Sequence, residues 1–349
     1  MTTSTQTHPA RTTRPAGTRR RTTALAAALA AGALVLSACG GDDGGSAGGE
    51  GTMTLTLGHA GSETDPRQTG AEEFADLVEE ASDGRITVEI FPSSTLGTWE
   101  QMVEGLQLGT TDVVIESLLS VEAYTDLASV ETAPFLYDSP EAFFETWDGG
   151  IGDEIKEAIA EESGYRMLGD MYRGPRQLTT KTPVTQLSDV QGLTIRTPSA
   201  PTMLQTWQAL GARSEALPFD EVYSALEQGV LDGQENPLDA ILFNSIYEVA
   251  PEISRTEHMY ANYHFIVWDE ALQGMSEEDR TIIEDAAAQV GESYTERTIA
   301  NIDEYETELE GLGATFHDLT DRPAWVEATQ PVVESLSPQV QEWITQIRG

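Results

Sequence analysis

Two rounds of one alternation, a β-prone run followed by an amphipathic helical stretch, set the strongest limit on what this chain can fold into. In the first round, residues 54–59 alternate Leu with Thr, and residues 66–82 carry Phe74, Leu77 and Val78 at helical spacing until Asp83-Gly84 ends the pattern. Residues 86–91 alternate again up to Pro92, residues 99–109 place Met102, Val103 and Leu106 on one helical face, and residues 112–115 form a short buried strand. The rhythm restarts with β-prone runs at 165–171, 176–180 and 193–197. Helical runs at 202–210 and 219–228 follow, stopped by Gly211 and Gly229, and residues 232–236 close the unit. This order predicts an α/β fold in two lobes, each built on a largely parallel sheet. From Ser276, a cap with Glu277 and Glu278 behind it, a polar-faced helix runs almost to Gly311. At ~1.5 Å per residue, about 33 residues reach ~50 Å, more than one lobe's width, so this helix is expected to brace both lobes.

The N-terminal stretch has a different character. Arg11, Arg14, Arg19, Arg20 and Arg21, without any accompanying acid, precede an apolar run at 24–36. That run is shorter than the about 20 apolar residues of a membrane-spanning helix, and the whole reads as a secretory signal peptide over 1–38. The arginine run leaves general secretory and twin-arginine export both open. Leu36-Ser37-Ala38-Cys39 resembles a bacterial lipobox, which implies a diacylated Cys39; the plain alternative is an ordinary cleavage site with an incidental cysteine. Residues 40–51 are nearly all Gly, Asp, Ser and Ala, a flexible tether of ~20 Å. Residues 39–51 are thus expected to hold the body at the outer face of the cytoplasmic membrane through a lipid anchor.

Charge and composition narrow the function. The chain has 59 acidic and 19 basic residues, a formal net charge of -40, and residues 39–349 retain only 14 of the basic ones. Such a chain repels phosphate backbones, so no nucleic-acid partner is expected. One cysteine excludes an internal disulfide and a cysteine-based zinc site, and the five dispersed histidines do not suggest a metal cluster. HExxH and P-loop patterns are absent, and GxSxG occurs only as Gly44-Gly45-Ser46-Ala47-Gly48 within the Gly-rich tether, so neither catalytic residues nor a cofactor are expected. A glycosidase-type carboxylate pair would be indistinguishable by residue type from the solvated acidic surface.

Scarce arginines in β-prone runs are the candidate chemistry. Arg173 and Arg176 lie in Tyr172-Arg173-Gly174-Pro175-Arg176-Gln177-Leu178-Thr179-Thr180, and Arg196 lies in Gly192-Leu193-Thr194-Ile195-Arg196-Thr197-Pro198. A buried guanidinium there needs an anionic partner, since an unpaired buried charge costs several kcal/mol. Two readings are open: an internal salt bridge, or a ligand carboxylate gripped by the planar fork of the guanidinium.

These stretches, with Pro218-Phe219-Asp220-Glu221-Val222-Tyr223 and the block Asp232-Gly233-Gln234-Glu235-Asn236-Pro237, resemble the solute receptors of tripartite ATP-independent periplasmic (TRAP) transporters. The resemblance covers roughly residues 52–345, and the receptors for C4-dicarboxylates and sialic acid are the nearest kin by motif. It implies a periplasmic-binding-protein-like fold with a ligand cleft between two lobes: residues 52–173 plus about 260–301, and residues 174–259 plus about 302–349. It implies an organic-acid ligand and small and large membrane subunits as partners. By position, Arg196 matches the principal carboxylate-gripping arginine, Arg176 a second pocket arginine, and Asn236 an amide that orients the carboxylate. Glu116 matches a glutamate facing ligand hydroxyls, His59 a polar wall and Phe219 an aromatic wall. His258 and Trp268 are assigned to hinge or core packing. Two positions depart from the pattern: Arg173 stands where sialic-acid receptors carry a smaller polar residue, and Asp65-Pro66 replaces a frequent His-Pro. Arg173 then either meets a second acidic or hydroxyl group of the ligand or pairs internally. Glu116 in the pocket favours a sugar acid or similar hydroxylated monocarboxylate, with C4-dicarboxylates next, because facing carboxylates repel. An ABC-type binding lipoprotein is the alternative of the same shape.

Overall fold

In the computed structural model, which describes residues 52–349, the strands sort into two sheets, and the chain crosses between them three times. The strands are β1 (Met53–Gly58), β2 (Ile86–Phe91), β3 (Val113–Ser117), β4 (Tyr165–Pro175), β5 (Gln177–Thr180), β6 (Thr194–Thr197), β7 (Arg213–Ala216), β8 (Gly233–Asn236), β9 (Glu252–Arg255), β10 (Tyr260–Trp268) and β11 (Thr315–Asp318). The first lobe's sheet has the order β2-β1-β3-β10-β4, and the second's β11-β9-β5-β8-β6-β7. The expected two-lobed α/β architecture is present. Residues 1–51, and with them the expected signal peptide, Cys39 and the expected tether, lie outside the described residues.

The sheets are mixed rather than largely parallel. β1 runs parallel to β2 and β3, as the early alternation implied, but β10 is antiparallel to both β3 and β4. In the second sheet β5 is antiparallel to β8 and β9, while β6 is parallel to β7 and β8. The cause is the crossing itself. The chain leaves the first lobe by β4 into β5 and returns by β9 into β10, so the outgoing and returning strands run in opposite directions. They are tied at the crossing by the Arg176 amide, which donates to the Met259 carbonyl at 2.9 Å.

The helix Glu277–Gly311, 35 residues long, spans both lobes as expected. Ile283, Ala286, Ala287, Val290 and Tyr294 join the core formed by β1, β3 and β10, whereas Leu309 sits in the second lobe's core with Val222, Leu226 and Ile253. It lies close against β4 because the contact is made of small residues. A Cβ on Gly169 would fall 2.3 Å from the Ala287 carbonyl oxygen at φ +65°, and one on Gly291 would fall 2.8 Å from the Asp170 amide nitrogen. Two expectations are corrected. Residues 219–228 are not one helix: a 3₁₀ turn, Phe219–Glu221, leads into the shorter helix Val222–Glu227. The tail 302–349 does not belong wholly to the second lobe. Trp325 packs there with Trp207 and Leu178, but Val340, Trp343 and Ile344 of the last helix pack with Val121, Trp147 and Ile159 of the first. The amphipathic pattern of that helix needs only an apolar surface, and the first lobe supplies it.

Candidate functional site

In open α/β sheets the carboxyl ends of strands leave backbone and side chains free to face a ligand, and here such ends from both sheets converge. Ala60 follows β1 and Glu116 ends β3 in the first lobe; Arg196 and Pro198 end β6, and Asn236 ends β8, in the second. Together with Arg67, Trp99, Leu119, Arg173, Arg176, Phe219, Ala240 and Tyr263 they line a cavity with about 430 Å³ of atom-free space, part of it open to solvent. Six of the seven candidate ligand-site residues (Arg173, Arg176, Arg196, Asn236, Glu116 and Phe219) therefore face one cavity.

His59 does not. It is fully buried, its Nε2 lies 3.0 Å from Gln68 Oε1, and burial with the nearby Arg67 charge lowers its pKa to about 4. It sits one residue beyond the end of β1, and Ala60, the next residue, takes the lining position.

The arginines divide into two kinds. Arg176 is internally paired: its Nη2 donates to Glu235 Oε1 at 2.9 Å and to the Glu235 carbonyl at 2.8 Å. Glu235 Oε2 also faces His258 Nε2 at 3.1 Å, and His258 Nδ1 is 2.8 Å from Thr256 Oγ1. Burial alone would raise the Glu235 pKa, but the Arg176 guanidinium beside it holds it at about 2. The salt-bridge reading therefore holds for Arg176, a wall of the cavity whose charge is already matched. Arg67 is paired in the same way, with Nε 2.9 Å and Nη2 2.8 Å from the two Asp65 oxygens, and with Glu116 Oε1 3.5 Å from Nη1. Asp65 also accepts the Arg67 amide as the cap of the helix Pro66–Ala81, which fixes both partners.

Arg196 is the opposite case. It is 2 % exposed, its Nε donates to the Leu217 carbonyl at 2.8 Å, and Phe219 lies 5.7 Å from its guanidinium carbon. Among the described residues no carboxylate comes within ion-pair distance, and burial drives its pKa down to about 10. Arg173 likewise has no acidic partner at that distance among the described residues. Its Nη1 donates to Ser117 Oγ at 2.9 Å, its Nε is buried without a partner, and its guanidinium sits 3.7 Å from the Tyr263 ring centre. Asn236 is oriented by a relay: its Nδ2 donates to Gln234 Oε1 at 2.5 Å, and Gln234 Nε2 donates to Thr179 Oγ1 at 2.6 Å. Glu116 accepts the Ser117 amide at 3.0 Å on one oxygen and faces Arg67 with the other.

Sequence reasoning missed Arg67 and Tyr263. The signal for Arg67 was the unusual Asp65-Pro66, which supplies both the cap and the counter-ion. Tyr263 lies in β10, whose run Tyr-Ala-Asn-Tyr-His-Phe-Ile-Val-Trp is buried almost throughout and shows no period. Among the described residues no group of three or more His, Cys, Asp and Glu is placed to hold a metal, and no helix is long and apolar enough to cross a membrane.

Two uncompensated guanidinium groups, an aimed amide and an opposed glutamate make a site that binds an acid and offers no activated nucleophile. Comparison with known proteins agrees. Residues 57–339 match the family model described as bacterial extracellular solute-binding protein, family 7. A solute-binding protein of Roseobacter denitrificans is 33% identical over 288 residues, covering 82% of this chain and 88% of its own. The crystal structure of a TRAP periplasmic solute-binding protein from Roseobacter denitrificans OCh 114 with bound L-galactonate superposes with a TM-score of 0.81 at 31% identity, covering 86% of this chain and 99% of that one. One from Polaromonas sp. JS666 bound to D-erythronate gives 0.80 at 27%, covering 85% and 98%. The chain belongs to the bacterial extracellular solute-binding protein family 7, the solute receptors of TRAP transporters.

Proposed function

We propose that this receptor captures a polyhydroxylated monocarboxylate of the sugar-acid class between its lobes and delivers it to the small and large membrane subunits of a TRAP transporter. The observation that carries the reading is Arg196, a buried guanidinium on a cavity wall with no carboxylate of its own. Arg196 and Asn236 bind the carboxylate of the solute. Arg173 takes a hydroxyl or the second carboxylate oxygen, and Phe219 closes the wall. Arg176, neutralised by Glu235, shapes the site and donates without demanding an anion. Glu116 accepts from hydroxyls and disfavours a second carboxylate, which places C4-dicarboxylates behind sugar acids. The relatives bound to L-galactonate and D-erythronate support the class, since both ligands are hydroxylated monocarboxylates.

The same reading places the protein outside the cytoplasmic membrane, held by a lipidated Cys39. Support comes from the sequence: the chain's one cysteine follows Leu-Ser-Ala at the end of an Arg-led apolar leader. Replacing Cys39 by Ser and fractionating cells tests it, and a variant that stays with the membrane refutes the anchor. The solute reading is tested by thermal shift of residues 40–349 against L-galactonate, D-erythronate, other aldonates, uronates, keto acids, malate and succinate. Stabilisation by aldonates above all others is expected; a response confined to dicarboxylates, or to none, refutes the class.

A further inference from the structure

Away from the cavity, a carboxylate of the first lobe caps a helix of the second. The helix Pro201–Ala209 begins with Ala200 as its N-cap and receives no capping hydrogen bond from that side chain. The Thr202 amide, which falls among the first four N–H groups and so has no partner within the helix, donates to Glu122 Oε1 at 2.7 Å. Glu122 follows β3 by five residues, in the first lobe, and its other oxygen accepts from Thr132 Oγ1 at 2.9 Å. The side chain is buried, and the groups that act on it are Thr202 and Thr132 rather than any cation among the described residues. What offsets its charge is the helix N-terminus, where free amides and the macrodipole favour an anion.

Two further contacts cross the same seam. Ser199 Oγ donates to Glu100 Oε1 at 2.9 Å, and Leu119 of the first lobe packs against Ala200 and Met203 of the second. Leu119 itself, with Trp99 beside Glu100 and Pro198 beside Ser199, lines the cavity. The seam and the cavity wall are therefore made by the same segments.

We propose that Glu122 is a closure latch, a positioning residue that never touches the solute but holds the lobes shut over it by capping the Pro201–Ala209 helix from the opposite lobe. When the lobes part, both Glu122 and the Thr202 amide are hydrated, so the bond strengthens only the closed form. It slows escape of the solute and leaves entry unchanged. The inference rests on the cavity being a solute site that closes between the lobes.

The test uses the full receptor and its Glu122→Ala and Glu122→Gln variants. With L-galactonate as probe, or whichever acid of the panel binds, stopped-flow dissociation is about tenfold faster in Glu122→Ala, equivalent to ~1.4 kcal/mol. Association stays within about twofold, in line with interface changes acting mostly on dissociation, and the factor is the same for every acid that binds. Glu122→Gln keeps a carbonyl oxygen for the Thr202 amide and recovers most of the loss, which a generally weakened fold would not reproduce. Hydrogen exchange at the Thr202 amide, followed at saturating acid, supplies a second readout: slow in the wild type, fast in Glu122→Ala, with Trp207 in the same helix unchanged. If no acid of the panel binds, the solute reading falls and the latch falls with it; if an acid binds, the comparison of wild type and Glu122→Ala judges the latch alone. Equal Thr202 exchange in wild type and Glu122→Ala, or equal dissociation rates, overturns it.

Discussion

Replacing Arg196 by Met should make the empty receptor more stable and the loaded one less so. A buried arginine whose pKa falls from its ordinary value to about 10 carries roughly 3 kcal/mol against its charged form, by the relation of about 1.36 kcal/mol per pH unit. For a base with a depressed folded pKa, that penalty is present in full at any pH below about 10 and disappears only as the pH rises towards the ordinary arginine range, so it acts fully at pH 7. Met keeps the apolar stem and removes the charge. The substitution also leaves the Leu217 carbonyl without its Nε–H donor, a loss of ~1 kcal/mol, and forfeits the contact with Phe219. The net gain is about 1–2 kcal/mol, a rise of a few °C in melting temperature for a domain of this size. Saturating acid reverses the order: at 100 times Kd the wild type gains about 2.7 kcal/mol by mass action and the variant gains nothing. Differential scanning fluorimetry with and without L-galactonate reads both signs. A variant that melts below the wild type when empty, yet still responds to the acid, would refute the claim that Arg196 is an uncompensated charge kept for a ligand.

Removing the carboxylate at Glu235 strands both Arg176 and His258, so Glu235→Ala should lose about 3–5 kcal/mol in urea denaturation. Because the Glu235 pKa is depressed from 4.5 to about 2, its contribution is intact above pH 4.5 and fades as the pH falls towards 2, so the gap between wild type and variant should narrow over that window and nowhere near neutrality. Glu116→Gln removes a charge from the cavity wall and should raise malate affinity relative to L-galactonate by roughly tenfold, about 1.4 kcal/mol, in calorimetry; an unchanged ratio would remove Glu116 from the selectivity argument. Gly169→Ala sets a Cβ against the Ala287 carbonyl at positive φ and should destabilise by about 2–4 kcal/mol, measured by the same urea titration.

What the sequence disclosed and withheld follows from which signals are periodic. β1, β2 and the helix Glu277–Gly311 are half-buried elements, so their apolar positions recur at 2 or near 3.6 residues and their limits fall within about a residue of expectation. β10 is buried on both faces, and its unbroken apolar run says nothing of direction; hence the antiparallel strand in the middle of the first sheet, with Tyr263 on it, went unread. The helices Pro140–Trp147 and Gly150–Ser163 were likewise unassigned, although Ser139-Pro140 is a good helix start. At the site, motif resemblance placed Arg196, Arg176 and Asn236 on one cavity. It could not say which arginine is already paired, because a counter-ion is a matter of three-dimensional proximity. Glu235 stood next to Asn236 in the most distinctive block of the chain, with nothing in the line of residues to show that its carboxylate reaches Arg176, 59 positions earlier.

That division of the arginines bears on the solute. Four guanidinium groups, of Arg67, Arg173, Arg176 and Arg196, line the cavity, and three carboxylates answer them at close range or across it: Asp65, Glu235 and Glu116. Two more buried acids lie nearby, but burial raises Glu131 to about 8 and pushes Asp239 upward, so both are drawn towards the neutral form and add less negative charge than their number suggests. One external carboxylate therefore balances the site, and a second oversupplies it. In a chain carrying -40 overall, that single unit of positive excess must be local to act at all, and it is: screening beyond ~8 Å at physiological salt separates the acidic surface from the buried guanidinium groups. The acidity of the surface then governs how often an anion arrives, and the unmatched arginines govern whether it stays.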